Sequence, residues 1–127
     1  MKRVTGIGGI FFKSKDPKAL GEWYQKHLGV PVLPWGGAAF QWQNDDNPTG
    51  VGTTIWSPFA ADTTYFGEGP SFMVNFRVHD LDALLAVLRE EGCAVLEKTE
   101  NSEFGKFGWV TDPEGNRVEL WEPPAGS

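Results

Sequence analysis

The side chains in this chain of 127 residues that could do chemistry are few. There are two histidines, His27 and His79, and a single cysteine, Cys93. No Ser–His–Asp or Cys–His arrangement can be built from them. His27 falls on or beside an apolar helical face and reads as a packed or surface residue. Cys93 follows a helix-ending glycine, has no evident base beside it, and reads as a structural or incidental thiol. The group that stands out is Glu119, in the middle of Arg117-Val118-Glu119-Leu120-Trp121. The alternation there has a period of two and predicts a short strand. Asp112-Pro113-Glu114-Gly115-Asn116 feeds it through a tight turn: proline fixes φ early in the turn, and Gly115 and Asn116 tolerate the left-handed conformation that ends it. A carboxylate on the inner face of a strand is costly unless it meets a cation, a donor or a ligand.

The elements that would position Glu119 follow from local patterns. Residues 4–14 read as a strand, weakened by Gly6, Gly8 and Gly9, which allow a neighbour or ligand to approach closely. Gly6-x-Gly8 is not a dinucleotide fingerprint, because Phe11 stands where the third glycine would be and no strand precedes it. Asp16-Pro17 opens a helix with Leu20, Trp23, Tyr24, His27 and Leu28 on one face, and Gly29 stops it. Residues 30–35, 38–43 and 51–58 are strand candidates, with 44–50 a polar hairpin loop. Residues 59–70 lack a period and read as a crossing linker or a mobile flap. The pattern then restarts. A strand over 71–79 carries Phe72, Val74, Phe76 and Val78 on one face. Asp80 caps a second helix with Leu81, Leu84, Leu85 and Leu88, and Gly92 ends it. Strands are expected over 94–98, 104–111 and 116–122.

This is an internal repeat within one domain, with modules of about 4–60 and 71–123. Asp16 and Asp80 are both strand-to-helix caps, 64 positions apart; Phe12 matches Phe76, and Lys13 matches Arg77. Each half reads as βαβββ. The expected fold class is α+β: two such repeats forming an open, mixed-sheet, barrel-like cleft with the helices outside, paired as a homodimer.

The doubled unit resembles the vicinal oxygen chelate superfamily, which includes glyoxalase I, extradiol dioxygenases, fosfomycin resistance proteins and bleomycin-binding proteins. The resemblance is carried by Asp16-Pro17 with Trp23-Tyr24 and Leu28-Gly29, by Phe76-Arg77-Val78-His79-Asp80 with its leucine helix, and by Asp112-Pro113-Glu114-Gly115-Asn116 with Glu119-Leu120. It implies a divalent metal on the concave face of the metalloenzymes, held by a His seven residues before each strand-end Asp, by the Glu of the last strand, and by a fourth ligand from the strand aligned with 51–58. Here the first two positions are Gly9 and Met73, residues 51–58 contain no Asp, Glu, His or Cys, and Glu119 alone is retained. Glycine has no ligand to give, and a thioether suits hard or borderline cations poorly. One carboxylate does not make a catalytic metal site, which typically has about three protein ligands. No metal or other cofactor is expected.

Alternation also assigns the inner face. If Val74, Phe76 and Val78 pack under the second helix, then Met73, Asn75 and Arg77 face inward, with Gly9, Phe11 and Lys13 in the first strand and Arg117, Glu119 and Trp121 in the last. Trp42, Trp56, Phe107 and Trp109 lie on strands bordering the same space. The expected ligand-binding set is therefore Phe11, Trp42, Trp56, Met73, Asn75, Arg77, Trp109, Glu119 and Trp121. Six Trp and nine Phe supply aromatic surface for such a pocket or simply for the core. Glu119 either anchors a ligand or pairs with Arg77 and closes the barrel.

The resemblance and the aromatic face together imply a metal-free binder of a small hydrophobic or aromatic molecule, acting in sequestration or resistance as in the bleomycin-binding branch. The rivals are a glyoxalase- or dioxygenase-like enzyme, a lyase or isomerase with a relocated metal or with Glu119 as general base, and a non-catalytic interaction module. A net charge of −6 disfavours nucleic acid and anionic membrane surfaces as partners. No apolar run approaches a membrane span of about 18 residues. Met1-Lys2-Arg3 starts like a signal peptide, but the glycine-rich stretch after it and Lys13 speak against one. A lone cysteine fits a reducing cytoplasm.

Overall fold

A computed structural model describes residues 1, 3–43 and 49–125. Most of the expected hairpin loop, residues 44–48, lies outside the described residues. The chain divides into two compact units, one of residues 9–72 and one of residues 1–8 and 73–127. The first strand, β1 (Val4–Ser14), contributes to both.

In the unit of residues 9–72, β1 leads into α1 (Pro17–Leu28), followed by β2 (Ala38–Gln41) and β3 (Thr53–Ala60). Strand β3 is central: it pairs in parallel with β1, from Gly9 opposite Ile55 to Ser14 opposite Ala60, and antiparallel with β2. Asp16 caps the helix as its spacing predicts, its Oδ1 accepting the Ala19 N–H at 3.0 Å. Gly29 ends it with φ of 69°, a left-handed value that favours glycine.

Residues 30–35 are not a strand. Pro31 and Pro34 have no N–H to give a ladder. The segment instead forms a loop, closed by the Val32 N–H on the Val30 carbonyl at 2.8 Å and the Leu33 N–H on the Gly37 carbonyl at 2.8 Å. The first half is therefore βαββ. Helix α1 buries less than its pattern predicts. Leu20 and Tyr24 are half-buried, but Trp23 is 50% exposed and His27 and Leu28 lie at the surface. The helix residue that is buried is Gly21, where an added Cβ would already sit 3.6 Å from Val32 of the loop.

Residues 61–71 link the halves of the repeat, as expected, and are anchored by aromatic packing. Phe66 is fully buried against Phe59, ring centroids 5.1 Å apart, and Tyr65 stacks on Phe59 at 5.7 Å. Phe11 joins this cluster at 5.4 Å from Phe59.

The other unit carries the full repeat: β4 (Phe72–Val78, from its second residue on), α2 (Leu81–Glu90), β5 (Ala94–Ser102), β6 (Gly105–Thr111) and β7 (Arg117–Glu122). Strand β7 pairs in parallel with β4 and antiparallel with β6, and β5 pairs antiparallel with β6. Asp80 repeats the cap, its Oδ1 accepting the Ala83 N–H at 3.1 Å. The apolar face of α2 lands as predicted. Leu81, Leu84 and Leu85 form the core with Val78 and Leu120, surrounded by Phe76, Leu88, Val95, Val110 and Val118. Phe72, expected on the same face, is exposed at the start of β4. Burying each large aliphatic side chain stabilises the fold by about 1.5–3 kcal/mol before entropy is counted.

Candidate functional site

Because Phe76, Val78, Val118 and Leu120 face α2, the alternate residues of β4 and β7 face the other way. Register then places three of them in one row. Asn75 of β4 lies opposite Glu119 of β7, and Trp109 of β6 lies opposite Glu119 on its other side. Both carboxylate oxygens are engaged: Oε1 accepts from Asn75 Nδ2 at 2.7 Å, and Oε2 accepts from Trp109 Nε1 at 2.9 Å. Glu119 is 1% exposed and Asn75 2%. An indole N–H and an amide NH2 can only donate, so the carboxylate answers both as an acceptor. Hydrogen bonds in so buried a place hold their partners firmly.

The next row pairs Arg77 with Trp121 and Trp121 with Phe107. The Trp121 and Phe107 rings are nearly parallel, 13° apart with centroids at 6.3 Å, and both are half-buried. Trp121 Nε1 donates to the Phe104 carbonyl at 2.8 Å, which pins the β5–β6 turn. Met73 is buried on the same side of β4. Lys98 of β5 places its Nζ 5.7 Å from the centre of the Trp109 ring, a cation–π distance.

Two features here escape a reading of the sequence. Gly8, rather than Gly9, lies against this row: a Cβ on Gly8 would come within 2.1 Å of Asn75 Oδ1 and 2.9 Å of Trp121 Cε3. The run of glycines in β1 is the signal of close approach, but it does not say which glycine is approached. Second, Thr5, Arg77, His79, Glu122 and Pro123 line an open cavity of about 480 Å³ at the end of β4 and β7. Within it Glu122 Oε1 accepts the Leu81 N–H at 2.9 Å, adding a second cap to α2.

The turn that feeds β7 forms where predicted, but Gly115 alone takes the left-handed conformation, at φ of 88°, and Asn116 does not. Asp112 Oδ1 accepts the N–H groups of Glu114 and Asn116, each at 2.9 Å, and Oδ2 accepts Asn116 Nδ2 at 3.0 Å. These donors, the Asn116 side chain foremost, hold the Asp112 carboxyl below the usual carboxylate range.

The remaining expected residues belong to the unit of residues 9–72. Phe11 packs on Phe59. Trp42 donates its Nε1 to Thr54 Oγ1 at 2.8 Å and covers Gly52. Trp56 lies on the helix side, between Phe12 at 5.4 Å and Tyr24 of α1 at 4.9 Å. At Gly9 an added Cβ would come within 2.7 Å of the Phe11 ring and 3.2 Å of the Ile55 carbonyl.

The residues present do not fit a divalent metal. Among the described residues no three His, Cys, Asp or Glu side chains are grouped to hold an ion. Met73 and Gly9 offer no suitable donor, and the Glu119 oxygens already face N–H groups.

A family model described as a glyoxalase-like domain matches residues 9–121. Methylmalonyl-CoA epimerase from Mycobacterium tuberculosis has a similar structure, with a TM-score of 0.64 and 23% identity, over 95% of this chain and 89% of that one. A variant of the methylmalonyl-CoA epimerase of Streptomyces coelicolor, in complex with 2-nitronate-propionyl-CoA, matches with a TM-score of 0.71 and 18% identity, over 98% of both chains. A glyoxalase/bleomycin resistance protein/dioxygenase superfamily member from Vibrio splendidus 12B01 matches at 0.59 and 14%, over 91% of this chain and 97% of that one. The sequence has no significant match among curated proteins. No helix among the described residues is long and apolar enough to cross a membrane.

Proposed function

The chain belongs to the glyoxalase-like domain family, and from that premise we propose that it binds a small, flat or hydrophobic molecule against the β4–β7–β6 face, without a divalent metal, in a sequestering or resistance role. The observation that carries this reading is the engagement of both Glu119 oxygens by Asn75 and Trp109, at the position where the resemblance implies a metal-ligating carboxylate. The half-buried rings of Trp121 and Phe107 supply the apolar surface. Aromatic contacts of this kind add about 0.5–1.5 kcal/mol each beyond the area they bury.

A second reading is an isomerase or lyase with Glu119 as general base. It is favoured by the likeness in fold to methylmalonyl-CoA epimerases along nearly the whole chain. A general base must reach the proton it removes, within hydrogen-bond distance or through one water. Glu119 is buried and doubly occupied, which favours the binding reading.

The test uses 1-anilinonaphthalene-8-sulfonate as the probe. Saturable binding is expected, weakened up to about tenfold by Trp121→Ala and changed little by Glu119→Gln. Metal analysis of protein purified without chelator is expected to find no stoichiometric divalent ion. A stoichiometric ion lost with Glu119→Gln would overturn the metal-free reading, and absence of saturable probe binding would overturn the binding reading.

A further inference from the structure

We infer that Gly8 is a positioning residue for Glu119, acting through the Asn75 side chain. Asn75 is almost fully buried, yet only its donor end is used: Nδ2 meets Glu119 Oε1, while Oδ1 has no hydrogen-bond partner among the described residues. Buried polar atoms are nearly always paired, so an idle carbonyl oxygen at this depth calls for a reason. The reason lies on either side of the amide. Turning it over would set Oδ1 against Glu119 Oε1, two acceptors at hydrogen-bond distance with nothing to share. Glu119 therefore fixes the orientation of the amide, and Oδ1 must point at β1.

What it points at is Gly8. The space a Cβ would fill there is the space that Oδ1 takes, since the two would lie 2.1 Å apart. Contacts under about 3 Å between such atoms are forbidden, so either the amide or the strand would have to move. The amide is the freer of the two, being the end of a side chain, so a side chain at residue 8 is expected to push Asn75 out of the row, and with it the donor on Glu119 Oε1. Of the pair of donors, Trp109 Nε1 would then remain, and the aim of the carboxylate, and of the indole tied to it, would change. The second neighbour of Gly8, Trp121 Cε3 at 2.9 Å, provides the internal control, because a glycine needed only for space would act on Trp121 as much as on Asn75. The inference concerns the face proposed above to bind a ligand, but its readout needs no ligand, so the two can fail separately.

The experiment is a double-mutant cycle of Gly8→Ala and Asn75→Ala, read by urea unfolding and by the indole N–H resonances of Trp109 and Trp121, assigned with Trp109→Phe and Trp121→Phe. Gly8→Ala alone is expected to lower the urea midpoint and to shift the Trp109 indole signal. In the Asn75→Ala background the same change is expected to cost about half as much or less, and to leave the Trp109 signal where Asn75→Ala put it. If Gly8→Ala alone does not fold, a folded double variant supports the inference. Equal cost in both backgrounds, a shift confined to Trp121, or a double variant that also fails to fold overturns it.

Discussion

Asn75 and Glu119 sit directly opposite each other on the parallel strands β4 and β7, and the Asn75 amide donates to the Glu119 carboxylate at 2.7 Å. Because the amide can present either end, the two replacements of Glu119 should differ sharply. In Glu119→Gln, Asn75 can turn over so that Oδ1 accepts from the new amide, while Trp109 keeps an acceptor. The cost should be about 1 kcal/mol. In Glu119→Ala both donors are stranded in a buried site, and the loss should be about 2–5 kcal/mol. Urea unfolding of both variants checks the ordering, and equal losses would show that the hydrogen bonds do not set the stability of the row.

Trp109→Phe keeps a ring of similar shape but removes the N–H that meets Glu119 Oε2. The expected loss is about 1–3 kcal/mol, the cost of leaving a buried carboxylate oxygen short of a donor. Chemical unfolding measures it. A loss of only a few tenths would mean that water or another donor takes over that oxygen.

Phe66 is fully buried in the segment that joins the halves of the repeat. Phe66→Ala should cost about 3–5 kcal/mol, as for other large-to-small changes in a packed core. If thermal unfolding is unchanged, the segment does not pack on Phe59 in solution.

Asp112 contributes to the acid limb of stability. Its carboxyl titrates lower in the folded chain than in the unfolded one, chiefly because of the Asn116 side chain. The stabilisation is therefore present above the unfolded pKa and is lost as pH falls through the folded one. Asp112→Asn should lower the melting temperature near neutral pH, and its difference from the parent should shrink as the pH drops below the usual carboxylate range. A difference independent of pH would remove the titration from the account.

What the sequence reveals here is what is local. Asp16 and Asp80 cap their helices through bonds that span three residues, so their type and place suffice. The Asp112 turn is legible for the same reason. The alternation in β4 and β7 correctly separates Phe76 and Val78 from Asn75, and Leu120 from Glu119. Residues 30–35 mislead because Val30, Val32 and Leu33 look strand-like while Pro31 and Pro34 veto the ladder. Trp56 shows the limit for single aromatics: its type suits a pocket, but it covers Tyr24 of α1. Alternation puts Asn75 and Glu119 on one face but offers Arg77 as readily as a partner; which groups bond Glu119 is decided by strand register, with Asn75 coming from 44 residues away and Trp109 from across the β6–β7 hairpin.

Two prolines where the second half keeps a strand also end the equivalence of the duplicated modules. Strand β3, which pairs in parallel with β1, carries no acid, whereas β7, which pairs in parallel with β4, carries Glu119. A hybrid assembled from the second half twice would hold two buried carboxylates, and one assembled from the first half twice would hold none on that strand. The two modules are therefore not interchangeable, and only the second brings the acid.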